Sequence, residues 1–315
     1  MTAAGADRLF DAEWFPTLSR FFFCIGAQKA GTTWLDGMLR RHPDCHLPAN
    51  KEVRYWDWRV DRPQRFAHQI AEERVAAARG HLRSALLKPW RLPWARRRLA
   101  AAETYRAMLR AAGTPEGEAL YVRHVMGGYA GQGVAGDVSP GYSLLETPDF
   151  TRMARVHPNT RFVVLLRDPV ARHWSAIKHR FRKGLGDGTV DDAEVLGAFR
   201  ASLDEPSDIN RRRGDYPRML SALEAAVPAS RIGVFFYERL FDERYFRRVT
   251  DFLGLAPMEV DAAFHPNRNR RPGLRPTEGD LRRARAVLAP AYDDAAARFG
   301  AEIPTKWRQP ERMEA

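Results

Sequence analysis

Eight residues near the amino end, Gly26-Ala27-Gln28-Lys29-Ala30-Gly31-Thr32-Thr33, carry the most specific chemical signal in the chain. Two glycines let the backbone turn several N–H groups toward one point, with two threonine hydroxyls beside them. That is a cradle for a phosphate-like anion. The spacing departs from the nucleotide-hydrolase form Gly-x-x-x-x-Gly-Lys-Ser/Thr. Lysine sits at the fourth position, as Lys29, and Thr32 stands where that form has its lysine. A loop that keeps the anion cradle but moves its cation suits a different transferred group.

The flanking residues say which elements hold this loop. An apolar run at 21–25 precedes it, and Trp34, Leu35, Met38 and Leu39 follow on one helical face, so the order is strand, loop, helix. A second buried strand is predicted at 161–166, with Arg167 at its carboxyl end, where parallel sheets place their ligands. Asp168 and Pro169 then supply an N-cap and a first-turn proline. The helix that follows carries Val170, Trp174, Ile177 and Phe181 on one stripe, and Ser175 lies off it. With further strands near 44–47 and at 232–236, the pattern predicts an α/β, three-layer fold with a parallel sheet flanked by helices.

The stretch 25–35 resembles the 5′-phosphosulfate loop of sulfotransferases that use 3′-phosphoadenosine-5′-phosphosulfate (PAPS). The pattern Arg-Asp-Pro-x-x-Arg-x-x-Ser at 167–175 resembles the family segment that holds the donor's 3′-phosphate, which implies Arg167 and Ser175 as ligands. Lys51-Glu52-Val53-Arg54-Tyr55-Trp56-Asp57 is similar to the Lys-Glu-x-x-aromatic-aromatic segment of the heparan-sulfate sulfotransferase-like group. By that resemblance Glu52 is the general base that takes the acceptor's proton. Members of the group often carry histidine two places after the glutamate, where this chain has Arg54. Gly136-Asp137-Val138-Ser139-Pro140-Gly141-Tyr142 resembles a Lys-Ser/Thr-Pro-x-Tyr segment, with Val138 in place of the lysine of glycan-modifying members. Segments 213–216, 231–240 and 277–307 resemble the late helix, late strand and closing tail. The arginines of 267–273 fall where the family has a cationic loop over the 3′-phosphate; the resemblance puts Arg270 forward without deciding between it, Arg268 and Arg271.

The resemblance implies a P-loop NTPase-like fold, PAPS as donor, its desulfated bisphosphate as product, and no catalytic metal. It implies direct in-line transfer of a sulfonate to a hydroxyl, less readily an amine, of a glycan, lipid or small-metabolite acceptor. In that scheme Ala30, Gly31, Thr32 and Thr33 hold the 5′-phosphosulfate, while Lys29 reaches the bridging oxygen. His124 stands beside Glu52 as an alternative base; it is one of nine histidines, with His42, His46, His173 and His179 also near the motifs.

Composition bounds the rest. The 315 residues, 44% of them hydrophobic, suit a single globular domain over 1–315 with a variable helical insertion at about 60–120. In that insertion, 63–80 and 93–113 read as helices. The segment between them, 81–94, mixes arginine, leucine and tryptophan in a way that suits a membrane surface or a lid over an amphiphilic acceptor. The plain alternative is a packed insertion with solvated arginines. No apolar run is long enough to span a membrane, and residues 1–20 contain no signal core. Cys24 and Cys45 read as free thiols in a reducing cytoplasm. The net charge is +12, yet only six of the 51 cations are lysine, which makes Lys29 and Lys51 pointed choices. Such charge suits an acidic small molecule, nucleic acid or an anionic membrane. Two rival functions follow. One is a small-molecule kinase using ATP and Mg²⁺, disfavoured by the missing lysine before Thr33; the other is a basic nucleic-acid or membrane-surface binder. The resemblance itself implies no nucleic-acid partner.

Overall fold

Strand β1 (Arg20–Gly26) has no solvent exposure from Phe21 to Ile25, so both of its faces are covered. That is the condition under which a continuous apolar run folds as an interior parallel strand. The computed structural model describes residues 17–57, 64–182, 184, 189–261, 264 and 274–308, with the backbone alone for 64–67. After β1 come α1 (Thr32–Leu39), β2 (Cys45–His46), α2 (Gln64–Leu86), α3 (Leu92–Arg110) and α4 (Pro115–Val125). Then follow β3 (Val134–Val138), α5 (Thr147–Met153), β4 (Thr160–Leu166), α6 (Pro169–Arg180), α7 (Asp192–Asp204) and α8 (Ile209–Arg212). The chain closes with α9 (Tyr216–Glu224), β5 (Ile232–Phe236), α10 (Glu243–Leu253), α11 (Glu278–Val287), α12 (Ala289–Phe299) and α13 (Thr305–Arg308).

The five strands are parallel in the order β2-β3-β1-β4-β5, and helices flank the sheet. From β1 the chain leads to strands on one side, and from β4 to β5 on the other. The crevice beyond the carboxyl ends of β1 and β4 is therefore the topological switch point, the usual ligand position in such sheets. Phe23 anchors the core beneath it, meeting Phe162, Tyr142 and Trp56 at ring separations of 5.6, 6.2 and 6.3 Å. A smaller core joins Val170, Trp174 and Ile177 of α6 to Val195, Phe199 and Leu203 of α7, which is the stripe the sequence predicts.

The strands expected at 21–25, 162–166 and 232–236 are present, and the one near 44–47 shortens to Cys45–His46. Strand β3 was not expected, because Gly136 and Asp137 are poor strand formers. Tertiary packing overrides that preference. A Cβ on Gly136 would stand 2.2 Å from the Phe22 ring, so only glycine fits there. The buried carboxylate of Asp137 accepts hydrogen bonds from Ser139 Oγ at 2.7 Å, Tyr142 OH at 2.7 Å and Tyr121 OH at 3.1 Å. Helix α4 was likewise unexpected; Thr114 caps it by accepting from the Gly117 amide at 3.1 Å. Both cysteines are buried and unbridged, their thiols pushed up to about 12 chiefly by burial. Among the described residues no helix is long and apolar enough to cross a membrane.

Candidate active site

The loop after β1 is built around two left-handed residues, Lys29 at φ 70° and Gly31 at φ 90°. Gly31 caps α1, and a Cβ there would lie 2.7 Å from the Tyr237 ring, so both its conformation and its surroundings demand glycine. The first-turn amides of α1 have no intrahelical acceptor and turn toward the crevice. Lys29, Gly31, Thr32 and Thr33 all line a cavity of about 570 Å³ there. Ala30 does not reach the wall: it is buried, and its amide donates to the Ala27 carbonyl at 3.2 Å.

Arg167 enters the same cavity from the end of β4. Its Nη1 donates to the Lys29 carbonyl at 3.0 Å, and its guanidinium lies 4.5 Å from the Tyr237 ring centre. Helix α6 is fixed behind it. Asp168 accepts from the Ala171 amide at 2.8 Å and from Tyr292 OH at 2.7 Å, as the capping aspartate predicts. Ser175 lines the cavity two turns along, and so do His179 and Arg182. A spacing of four puts Ser175 and His179 on one face of α6, away from the core stripe, and Arg182 follows just past the helix end. Neither His179 nor Arg182 was singled out for this wall from the sequence, although the spacing of His179 from Ser175 was available. Arg172, the second arginine of the Arg-Asp-Pro motif, points inward instead: it is 1% exposed and donates to the Asn210 carbonyl.

The segment 51–57 forms the facing wall. Glu52 and Arg54 are both left-handed, at φ 62° and 59°, while Val53 between them is buried. This alternation sends Glu52 and Arg54 toward the cavity and pins the segment through its middle residue. The Glu52 amide donates to the Val138 carbonyl at 3.3 Å, which ties the segment to the end of β3. Lys51 Nζ donates to Thr33 Oγ1 at 3.1 Å and to Glu52 Oε1 at 3.2 Å, linking the carboxylate to the anion loop. Arg54 pairs with the buried Asp57 through Nε at 2.9 Å. Val138 is buried in β3, so no cation reaches the cavity from that position.

His124 does not join the site. Its ring packs 5.3 Å from that of Tyr105, behind the wall, and burial together with Arg74 holds its imidazole down to about 4. His42, His46 and His173 are also structural, each bonded through Nε2 to the Ala256 carbonyl, the Val125 carbonyl and Ser202 Oγ respectively. Trp34 lines the cavity but chiefly serves the core, with edge contacts to Phe241 and Phe246 at 5.1 and 5.2 Å. Arg270 and the rest of 267–273 lie outside the described residues.

Lys29, Lys51, Arg54, Arg74, Arg167 and Arg182 line the cavity against two carboxylates, Glu52 and Asp57. The excess of cations makes it an anion site. Its strength shows at Lys29, whose ammonium is held down to about 8 by burial first and then by Arg167, Arg182 and Lys51. Burial, Lys29 and Arg182 likewise lower His179. Away from these charges the wall turns apolar, with Ile70 on α2 and Tyr105 and Leu109 on α3. Among the described residues no cluster of three or more His, Cys, Asp or Glu side chains is placed to hold a metal ion.

Comparison with known proteins bears on the fold and the family. No curated protein matches the chain significantly. Among solved structures, a sulfotransferase from Alicyclobacillus acidocaldarius superposes with a TM-score of 0.60 at 20% identity, covering 91% of this chain and 98% of that one. At this identity the likeness speaks to the fold, and it is the P-loop NTPase-like fold. A sulfotransferase from Mycobacterium avium aligns with a TM-score of 0.45 at 16% identity, over 89% of this chain and 77% of the other. The sulfotransferase family model matches residues 22–259, a span that runs from β1 past α10 and holds every described candidate residue. It specifies no branch within the family. On that match the chain is an enzyme of the sulfotransferase family.

Proposed function

We propose that the enzyme transfers the sulfonate of PAPS to a hydroxyl of a lipid or small-metabolite acceptor by direct in-line displacement. The observation that carries this reading is the meeting of two anion-binding groups on one cavity: Arg167 Nη1 donates to the carbonyl of Lys29 itself. A donor anionic at both ends fits a wall with cations from the β1 loop and from the β4–α6 turn. A Cβ on Gly31 would strike the Tyr237 ring, against which Arg167 also packs, which is why glycine stands there.

PAPS supplies the sulfonate when bound and departs as 3′,5′-ADP. The amides opening α1, with the Thr32 and Thr33 hydroxyls, would hold its 5′-phosphate. Lys29 would neutralise charge on the departing oxygen, and the low ammonium pKa of the free enzyme recovers once an anion arrives. Arg167 and Ser175 would read the 3′-phosphate. Arg182, just past the end of α6, lines the same cavity and adds a further cation to it. Glu52 would accept the acceptor's proton at a carboxylate oxygen while Lys51 holds the other side of that group against Thr33. The apolar stretch of Ile70, Tyr105 and Leu109 supports an acceptor with an aliphatic or aromatic body, and a buried Val138 argues against a glycan.

A radiolabelled transfer assay tests this reading. Purified enzyme should move sulfonate from PAPS to a panel of phenolic and aliphatic alcohols and should not move phosphoryl from ATP with Mg²⁺. Glu52→Gln should lower kcat by about a hundredfold or more while 3′,5′-ADP binding stays within about threefold. Phosphoryl transfer, or an undiminished Glu52→Gln enzyme, overturns it.

A further inference from the structure

Helices α2 and α3 form an antiparallel hairpin whose base lines the cavity and whose apex, joined by a short turn at Pro89–Arg91, carries an unusual surface. The large hydrophobic side chains that stand exposed among the described residues are Leu86, Leu87, Trp90 and Trp94, at 66, 85, 75 and 50%. All four fall at this apex. The same stretch, 81–102, contains no Asp or Glu and carries Arg83, Lys88, Arg91, Arg96, Arg97 and Arg98, every one exposed. Ala85 and Ala95 are the small residues on which the two helices close, 2% and 0% exposed, so the bulky neighbours are directed outward.

We infer that this apex docks the enzyme onto an anionic lipid surface. Tryptophan and leucine enter the headgroup–acyl boundary while the surrounding arginines and lysine face anionic headgroups, the division of labour of an interfacial element. Exposed apolar side chains gathered at one place mark an interaction surface rather than ordinary scatter. Charge decides between occupants. A second copy of this chain would bring the same six cations face to face. Nucleic acid would satisfy the cations, but it gives no role to two aliphatic side chains as exposed as Leu86 and Leu87. Nor does the apex cover the cavity. Ile70 and Leu86 are separated by about 24 Å along α2 at an ordinary helical rise, so the hairpin is an arm and not a lid. This inference does not depend on which group the cavity transfers.

Flotation with lipid vesicles tests it. The full chain is mixed with vesicles of phosphatidylcholine, or of about one part phosphatidylglycerol to two of phosphatidylcholine, and centrifuged through a density step. The expected result is flotation with the anionic vesicles only, weakened by salt, and reduced about tenfold or more in the double variant Leu87→Ser with Trp90→Ser. Both side chains are mostly exposed, so the variant's unfolding midpoint should match the wild type and exclude misfolding as the cause. A second variant, Arg91→Gln with Arg96→Gln, should lose the preference for anionic vesicles. Absence of flotation overturns the inference, as does a Leu87/Trp90 variant that floats like the wild type. So does an apex whose serine variant loses duplex DNA binding or self-association in the absence of any vesicle binding.

Discussion

Lys29 is held in surroundings that oppose its charge. Burial and the neighbouring Arg167, Arg182 and Lys51 bring its ammonium down to about 8, and only Glu52 works the other way. An incoming anion reverses the balance. The sign of the pH effect follows: above about pH 8 the free enzyme has lost the proton that the complex retains, so binding must take one up. Affinity for 3′,5′-ADP should therefore fall between about pH 7 and pH 9 in calorimetry, approaching tenfold per pH unit, and this limb should vanish in Lys29→Met. Lys29→Ala should lower kcat by about a hundredfold or more, the ~3–4 kcal/mol typical of one preorganised donor. At this scale the sequence was legible where spacing is local. Lys29, Thr32, Thr33, Arg167 and Ser175 sit where their motifs put them. His179 was readable from the same helical spacing as Ser175, but no motif drew attention to it, and Arg182 lies past the helix end. The bridge from Lys51 to Thr33 depends on folding between separate segments, and the pairing of Arg54 with Asp57, three residues on, depends on a left-handed turn that spacing does not reveal.

At the scale of elements, β3 and the turn after it hold the facing wall in place. Asp137 is fully buried at the end of β3, and burial raises its carboxyl to about 6 while three hydroxyls donate to it. The same turn receives the Arg54 amide through Ser139 Oγ at 3.3 Å, so the network reaches the segment that carries Glu52. Asp137→Ala would strand the hydroxyls of Tyr121 and Tyr142, both without solvent exposure, together with that of Ser139. With each unsatisfied buried group costing about 1–3 kcal/mol, urea unfolding should show a loss of about 3 kcal/mol or more. A loss below about 1 kcal/mol would mean that the network does not hold the wall. These elements were the least legible. A strand containing Gly-Asp contradicts local propensity, and only the Phe22 ring above Gly136 and the hydroxyls around Asp137 explain it. The left-handed conformations of Glu52 and Arg54 leave no mark in sequence either. The helices of the insertion were legible in kind but not extent, since α2 runs on to Leu86.

For the molecule as a whole, the net charge of +12 proves less informative than its distribution. Many arginines are spent in surface pairs, such as Arg298 with Glu224 and Asp294, Arg248 with Glu302, and Arg218 with Glu146. Each such pair is worth about 0–1 kcal/mol. Positive charge gathers in two other places, the cavity at the switch point and the apex of the α2–α3 arm. The parallel sheet was legible because apolar strands alternate with helices, but its order, β2-β3-β1-β4-β5, includes a strand the sequence did not suggest; that order brings the β1 loop beside the end of β4.

That adjacency is the central claim, and calorimetry on wild type and Arg167→Ala with 3′,5′-ADP and 5′-AMP tests it most directly. The two ligands differ by the 3′-phosphate alone. The wild type should prefer 3′,5′-ADP by about tenfold to a hundredfold, and Arg167→Ala should bring the two affinities within about threefold. A wild type that binds both equally, or an Arg167→Ala variant whose preference is intact, would contradict it.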